Sequence, residues 1–461
     1  MELEDKHPIY EQYIGRWNYY NISYLGGEDY RQSNLGLLRK YLFEEDAPGN
    51  QYGQRLEYTA LDNLVKLVID TYRSFLFRNT PVRTFGTLQD NLVVQRFLTD
   101  VDFDEQNLDD FMRSANDAAM IYGHVWIMVT KGWQEGVTTV EQENRYDIRP
   151  YAKLFTPEAV VDWKYTKETN GSDRLSYIKT QEVVDENTTR YIVWTKDEIT
   201  TYEVDRDADT IRMTEVQVNE IGEIPFVILK ANKGPQKGIG HSDIADVAKI
   251  QQVIFNLLSE AEQGIRISNH PTLVKTNSTS AMAGAGAVIN MDEQTDPALK
   301  PYLIEPSGTN IDSIMKMVNL HIEAMLRMTH LGAIMAAKGL SVKSGIALAT
   351  EFEMLNTRLA DKSAKLEQAE ENMWRLFWKY SGLVEPTEFN VVYHKSFDLR
   401  DQHADLSLYA QALSLNVPSE TFNKALYKQI ARLTVENGDA IDDIDVELDA
   451  SQPLTVDNTD D

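Results

Sequence analysis

The chain is predicted to adopt an α+β fold. Three observations point there: apolar residues at three- and four-residue spacing before about residue 120, a run of strand-like segments from 125 to 218, and long helical periodicity after Gly240.

Taken in order, the first 40 residues set Tyr10, Tyr13, Tyr19, Tyr20, Tyr24 and Tyr30 among polar residues around Gly26 and Gly27. They read as an arm that needs partner surface to bury its rings. From Tyr58 to Phe77, Leu61, Leu64, Val65, Val68, Ile69, Tyr72 and Leu76 mark one amphipathic helix that stops before Pro81. A second helix, about Asn107 to Ala119, has Leu108, Phe111, Met112 and Ala115 on one face. The period then changes. Strands are expected at Val125–Thr130, Ala159–Trp163, Leu175–Val184, Thr189–Trp194, Glu198–Val204 and Ile211–Val218, with turn signals at Asn170-Gly171 and Asp185-Glu-Asn187. So regular a meander implies antiparallel pairing.

After Gly240, Ser242 or Asp243 can cap a helix whose stripe is Ile244, Val247, Val253, Ile254, Leu257, Leu258, Ala261 and Ile265. Running from Ser242 to Ser268, it would span roughly 40 Å, and Pro271 ends it. The insert 271–307 carries strand-like pieces at Thr272–Lys275 and Ala287–Asn290, with too little apolar mass for a core of its own. Asn310–Thr329 reads as a second helix, roughly 30 Å long, on Ile311, Ile314, Met315, Val318, Ile322, Met325 and Leu326. A Gly-punctuated loop, 330–343, leads to a helix from Ser344 to Tyr380, whose length suits a bridging element of an assembly better than a core helix. A strand at Glu388–Tyr393 and helices at Asp401–Leu415 and Ser419–Leu433 follow. From Asp439 the chain has nine Asp or Glu and no Lys or Arg, a composition expected to be disordered.

Composition excludes several chemistries. Without cysteine there is no disulfide scaffold, thiolate metal site or thiol nucleophile. Val342 stands where a phosphate-binding loop needs glycine before Lys343-Ser344, and Gly284 and Gly286 lack the third glycine of a dinucleotide fingerprint. No His-Glu-x-x-His pair occurs. No catalytic residue, metal ligand or cofactor is therefore assigned. The N-terminus lacks a secretory pattern, and no apolar stretch approaches the roughly 20 residues of a membrane span; a soluble protein made in the cytoplasm is expected. The 72 acidic and 45 basic side chains leave a net charge of −27. Such a balance disfavours a static grip on DNA phosphates and suits a wall past which DNA slides. Lys338 and Lys343 stand out in the 330–343 loop; they either touch phosphate in passing or keep the loop soluble.

Several motifs in sequence order resemble the portal proteins of long-tailed, double-stranded DNA bacteriophages. Asn63-Leu-Val-Lys-Leu-Val-Ile-Asp70 with Phe77-Arg-Asn-Thr-Pro81 resembles the first wing helix and its exit, and Ala118-Ala-Met-Ile-Tyr-Gly123 the passage from helix to wing sheet. Glu223-Ile-Pro-Phe-Val227, the run to Asn232 and Gly240-His-Ser-Asp-Ile-Ala-Asp246 resemble the stem entry. The resemblance covers about 58–433.

It implies a ring subunit, usually one of twelve, at a capsid vertex, assembled in the host cytoplasm and conducting double-stranded DNA. Its parts would be an N-terminal arm (1–40), an α/β wing (41–235), a first stem helix (236–268), a clip (269–308), a second stem helix (309–329), a tunnel loop (330–343), a long helix with a wing return (344–399), a helical crown (400–438) and an acidic tail (439–461). Tunnel-loop residues would be Gly332, Ile334, Met335, Lys338, Gly339, Ser341 and Lys343. Lys275, Asn277, Met282, Asp292 and Glu293 would present the clip to the terminase large subunit and later to a head-completion adaptor. Major capsid and scaffolding proteins are the other implied partners. The competing reading is a capsid-associated structural or scaffolding protein without a DNA channel.

Overall fold

The computed structural model describes residues 3–45, 49–133, 136–137, 139–269, 272–274, 302–304, 309–332, 345–397, 409–415 and 419–434, with single positions 296, 417, 444, 447 and 448. It divides into two units, 1–397 and 398–461.

The first unit opens with α1 (Pro8–Leu25). Proline at the first helical position costs no hydrogen bond, and the His7 side chain accepts from the Ile9 amide. Tyr10 and Trp17 of α1 are buried in the main core, and Tyr30 of α2 (Gly27–Arg31) packs edge-on to Phe255 at 5.3 Å. These rings find cover within their own chain, which corrects the expectation of an arm awaiting a partner.

Helices α3 (Leu42–Glu45), α4 (Gln51–Tyr58) and α5 (Leu64–Leu76) follow. The single helix expected over Tyr58–Phe77 is thus interrupted. Asn63 accepts from the Lys66 amide at 2.9 Å and starts α5 afresh. Next come β1 (Val82–Thr84), α6 (Leu92–Thr99) and α7 (Leu108–Tyr122), the last capped by Asn107 and ended by left-handed Gly123.

Two antiparallel sheets form the middle of the unit. In the first, β3 (Pro150–Phe155), β2 (His124–Lys131) and β9 (Phe226–Lys230) are ordered β3-β2-β9. The central strand β2 is buried nearly throughout, since α7 and the long helix described below pack against it. The second sheet is the expected meander: β4 (Val160–Lys167), β5 (Asp173–Val183), β6 (Thr188–Thr195), β7 (Glu198–Asp205) and β8 (Thr210–Val218), in sequence order. A short α8 (Val140–Arg145) starts on a capping box between Thr139 and Gln142.

Beyond the sheets, α9 (Ala245–Asn269) and α10 (Thr309–Met328) pack against each other. Between them, β10 (Thr272–Val274) and β11 (Tyr302–Ile304) form an antiparallel pair. The strand expected at Ala287–Asn290 lies outside the described residues. The long helix, Gly345–Ser381, has 37 residues and is about 55 Å long. Its expected role as a bridge rather than a core element needs correction. Leu355, Leu359, Leu366, Met373, Trp374, Phe377 and Trp378 are all buried, and Trp374 gathers Phe85, Phe97 and Phe377 around it. The C-terminal half of the long helix is the centre of the core. Strand β12 (Asn390–Val392) then pairs with β1, closing a contact between residues about three hundred apart.

One buried polar cluster locks this closure. Arg83 of β1 donates to Glu370 at 2.5 Å and Asp109 at 2.6 Å, and Tyr393 donates to Glu370 at 2.6 Å. Each charge has a partner, so burial does not leave one unpaired.

Among the described residues of the second unit, Glu420–Thr434 is helical, as expected for Ser419–Leu433, and so is 409–414. Most of the 439–461 tail lies outside the described residues.

Candidate functional site

Functional interest centres on the entry to the helix pair α9/α10, where the sheet, the pair and the long helix meet. Gly123 and Gly240 cross there so closely that a Cβ on Gly240 would lie 2.0 Å from the Gly123 carbonyl oxygen. No other residue type fits that crossing without displacing backbone. The chain then threads past the C-terminus of α7. Ser242 Oγ donates to the Ile121 carbonyl at 2.6 Å and accepts from the Ile244 amide at 3.1 Å, and the Asp243 amide donates to the Met120 carbonyl at 3.1 Å. Neither expected cap bonds an amide of α9 itself: Ser242 holds the Ile244 amide just ahead of the helix, and the Asp243 side chain turns elsewhere.

The Asp243 carboxylate is fully buried and accepts from Lys362 and from Arg358 (3.0 Å) of the long helix, and from Asn232 (2.9 Å). Burial pushes its carboxyl up, but the two cations outweigh burial and hold it below the usual carboxylate range. Burial likewise pulls the Lys362 ammonium down, and Asp243 only partly offsets this. The start of α9 is thereby bolted to the long helix. Arg358 and Lys362 stand four residues apart, the spacing of one helical face, but nothing in the sequence pairs them with Asp243.

Outward from this junction, α9 and α10 bury Ile254, Ala261, Val318 and Met325, and Gly264 lets the Ile311 side chain approach. Ile265, Met315, Met317, Leu320 and Met328 remain exposed, and of these Met317, Leu320 and Met328 share one face of α10. Among the described residues, α10 thus keeps an apolar strip that the pair does not cover.

The first residues of the 330–343 loop are anchored. His330 adopts a left-handed conformation, Leu331 is buried and donates its amide to the Leu326 carbonyl at 3.0 Å, and Tyr72 OH donates to the Thr329 carbonyl. Gly332, half-buried, follows directly. Ile334, Met335, Lys338, Gly339, Ser341 and Lys343 lie outside the described residues. So do Lys275, Asn277, Met282, Asp292 and Glu293, beyond the β10/β11 base.

Sequence reasoning missed a brace along α9. Tyr19 OH donates to the Ala248 carbonyl (2.7 Å), Gln251 donates to the Ser23 carbonyl (3.0 Å) and Asn256 to the Leu37 carbonyl (2.9 Å). Farther along, the buried Arg55 donates to Ser259 (2.9 Å) while paired with Glu44 (2.7 Å), and Arg266 lies over the Tyr58 ring. Residues 19–58 thus follow α9 from Ala248 to Arg266, roughly 27 Å at 1.5 Å per residue.

A match to the family described as phage portal protein, SPP1 Gp6-like, extends over residues 59–402. The chain belongs to this family of phage portal proteins. No curated protein matches it. The matched span takes in both sheets, α9, α10 and the long helix, and begins just after the brace. Portal family proteins are structural; they form an oligomeric ring at the capsid vertex of the virion, with capsid and packaging partners. Among the described residues, no group of three or more His, Asp or Glu is placed to hold a metal ion, and no helix is long and apolar enough to cross a membrane.

Proposed function

We infer that the chain is a non-enzymatic ring subunit, probed best as a twelve-membered ring, through which double-stranded DNA enters and leaves the capsid. The observation that carries this reading is the α9/α10 pair with the apolar strip Met317, Leu320 and Met328 of α10 exposed. A head-to-tail neighbour around a rotation axis supplies the missing cover, and the same axis leaves a central hole.

On this reading α9 and α10 are the stem and the insert beyond β10/β11 is the clip. Lys275, Asn277, Met282, Asp292 and Glu293 face first the terminase large subunit and then the head-completion adaptor. The loop led by Gly332, with Ile334, Met335, Lys338, Gly339, Ser341 and Lys343, rings the DNA, while residues 1–40 are the N-terminal arm, 41–235 the wing, 344–399 the long helix and its return, 400–438 the crown and 439–461 the tail. Assembly takes place in the host cytoplasm with scaffolding and major capsid proteins. The acidic surplus keeps the wall from holding the duplex.

Mass measurement and negative-stain imaging of the purified chain test the reading: closed rings with a central pore are expected. Monomers at every concentration, or open filaments, would overturn it.

A further inference from the structure

The edge strand β8 carries a feature that the stem and channel do not use. Among the described residues it has no strand on its outer side, and its apolar side chains are unusually bare. Ile211 is 59% exposed, Met213 62%, Val216 51% and Val218 77%. By simple alternation Ile211 and Met213 would point away from Val216 and Val218. They do not, because Thr201 pairs with Glu215 and Tyr202 with Met213, leaving Thr214 as a bulge. The cross-strand partners of the four, Val204, Tyr202, Thr200 and Glu198, alternate along β7, so all four lie on one face. The bulge turns two short apolar pieces into one stripe.

The opposite edge is treated differently. On β4 the His7 amide donates to the Val161 carbonyl at 2.9 Å, and beyond it stand Lys164 and Lys167. Coverage and lysines are the usual protections of a sheet edge. At the far end of β8, Val216 and Val218 also border a cleft of about 430 Å³ with Trp133, Ile199 and Tyr380. One end of the sheet is sealed and the other is open and apolar.

We propose that the β8 stripe is a contact between neighbouring copies of this chain in the ring. The inference rests on the ring reading above. Its occupant follows from charge. Each copy carries a net −27, so copies repel through most of their surface and must meet where charge is sparse. Across nine residues β8 offers only Arg212 and Glu215 as charges, of opposite sign. Sealing one sheet edge while opening the other also suits a head-to-tail contact, in which each copy uses two different surfaces.

Thiol reactivity tests this cleanly, because the chain has no cysteine of its own. In assembled rings, Val216→Cys should react with a maleimide at least tenfold more slowly than Glu186→Cys, placed at an exposed turn position. Equal rates would overturn the proposal. A Met213→Glu, Val216→Glu variant should keep its circular dichroism, since both side chains are exposed, and lose at least tenfold in ring yield. Normal rings from that variant, with or without a defect in joining a capsid shell, would also overturn it. If the unmodified chain forms no ring, the ring reading itself fails and this contact fails with it.

Discussion

At the scale of single residues, the buried charges are the most exacting feature. Removing the Asp243 carboxylate strands Lys362 inside the junction. Asp243→Asn is therefore expected to cost roughly 3–5 kcal/mol in urea unfolding. Lys362→Met should cost clearly less, because Arg358 and Asn232 still pair the carboxylate; equal costs would show that Lys362 is the sole effective partner. His124 presents the opposite case. It is fully buried beside Trp17 and Trp126, neither ring nitrogen has a partner among the described residues, and burial pushes it down to about 3. It stays neutral in the folded chain and takes up a proton only on unfolding, so its effect is absent above pH 6.5 and grows as pH falls from there toward 3. At pH 5 the loss is about 2 kcal/mol. His124→Leu should remove that part of the difference in stability between pH 7 and pH 5; an unchanged difference would assign the acid sensitivity elsewhere.

At the scale of elements, local chemistry was legible and distant pairing was not. The five strands β4 to β8 could be read to within a few residues, because alternation and turn signals are both local. Helices α7, α9 and α10 were legible from their stripes, and the entry to α9 from Gly240 and Ser242. The break at Asn63 was hidden because Leu61 continues the spacing of α5 while standing outside it. Helix α1 was hidden because its buried positions are a tyrosine, a tryptophan and a serine among polar residues, a pattern that also suits a surface arm. The β1/β12 pair and the partnership of Asp243 with Lys362 join distant parts of the chain, which periodicity cannot show. The Thr214 bulge was invisible for the same reason, since it exists only relative to β7. Two glycines separate packing from propensity at this scale. Gly240→Ala must displace the Gly123 carbonyl and should prevent a native fold, read as loss of soluble protein or of the unfolding transition. Gly15→Ala, within α1 and with nothing within 4 Å of a new Cβ, should stabilise by roughly 0.5–1 kcal/mol.

At the scale of the whole molecule, the first unit is a packed block bearing a helix pair with an exposed apolar strip on α10, in a chain of strongly negative charge. Ring formation should therefore strengthen with salt, which screens repulsion between copies while leaving apolar contact intact; rings that dissociate as salt rises from 0.05 to about 0.5 M would point instead to interfaces held by ion pairs. Replacing Lys338 and Lys343 with Glu should leave rings intact and lower the yield of packaged genomes. Unchanged yield would remove both lysines from DNA passage.

The aromatic cluster around Trp374 has a consequence for biosynthesis. Phe85 and Phe97 leave the ribosome long before Trp374 and Phe377 are made. At about 5–20 residues per second that delay is on the order of 15–60 s. Throughout it the nascent chain holds half of a core with nothing to close it, an interval that calls for chaperone cover. Products of premature termination before the long helix can never complete the block, because Phe85 and Phe97 then lack the rings that close around them.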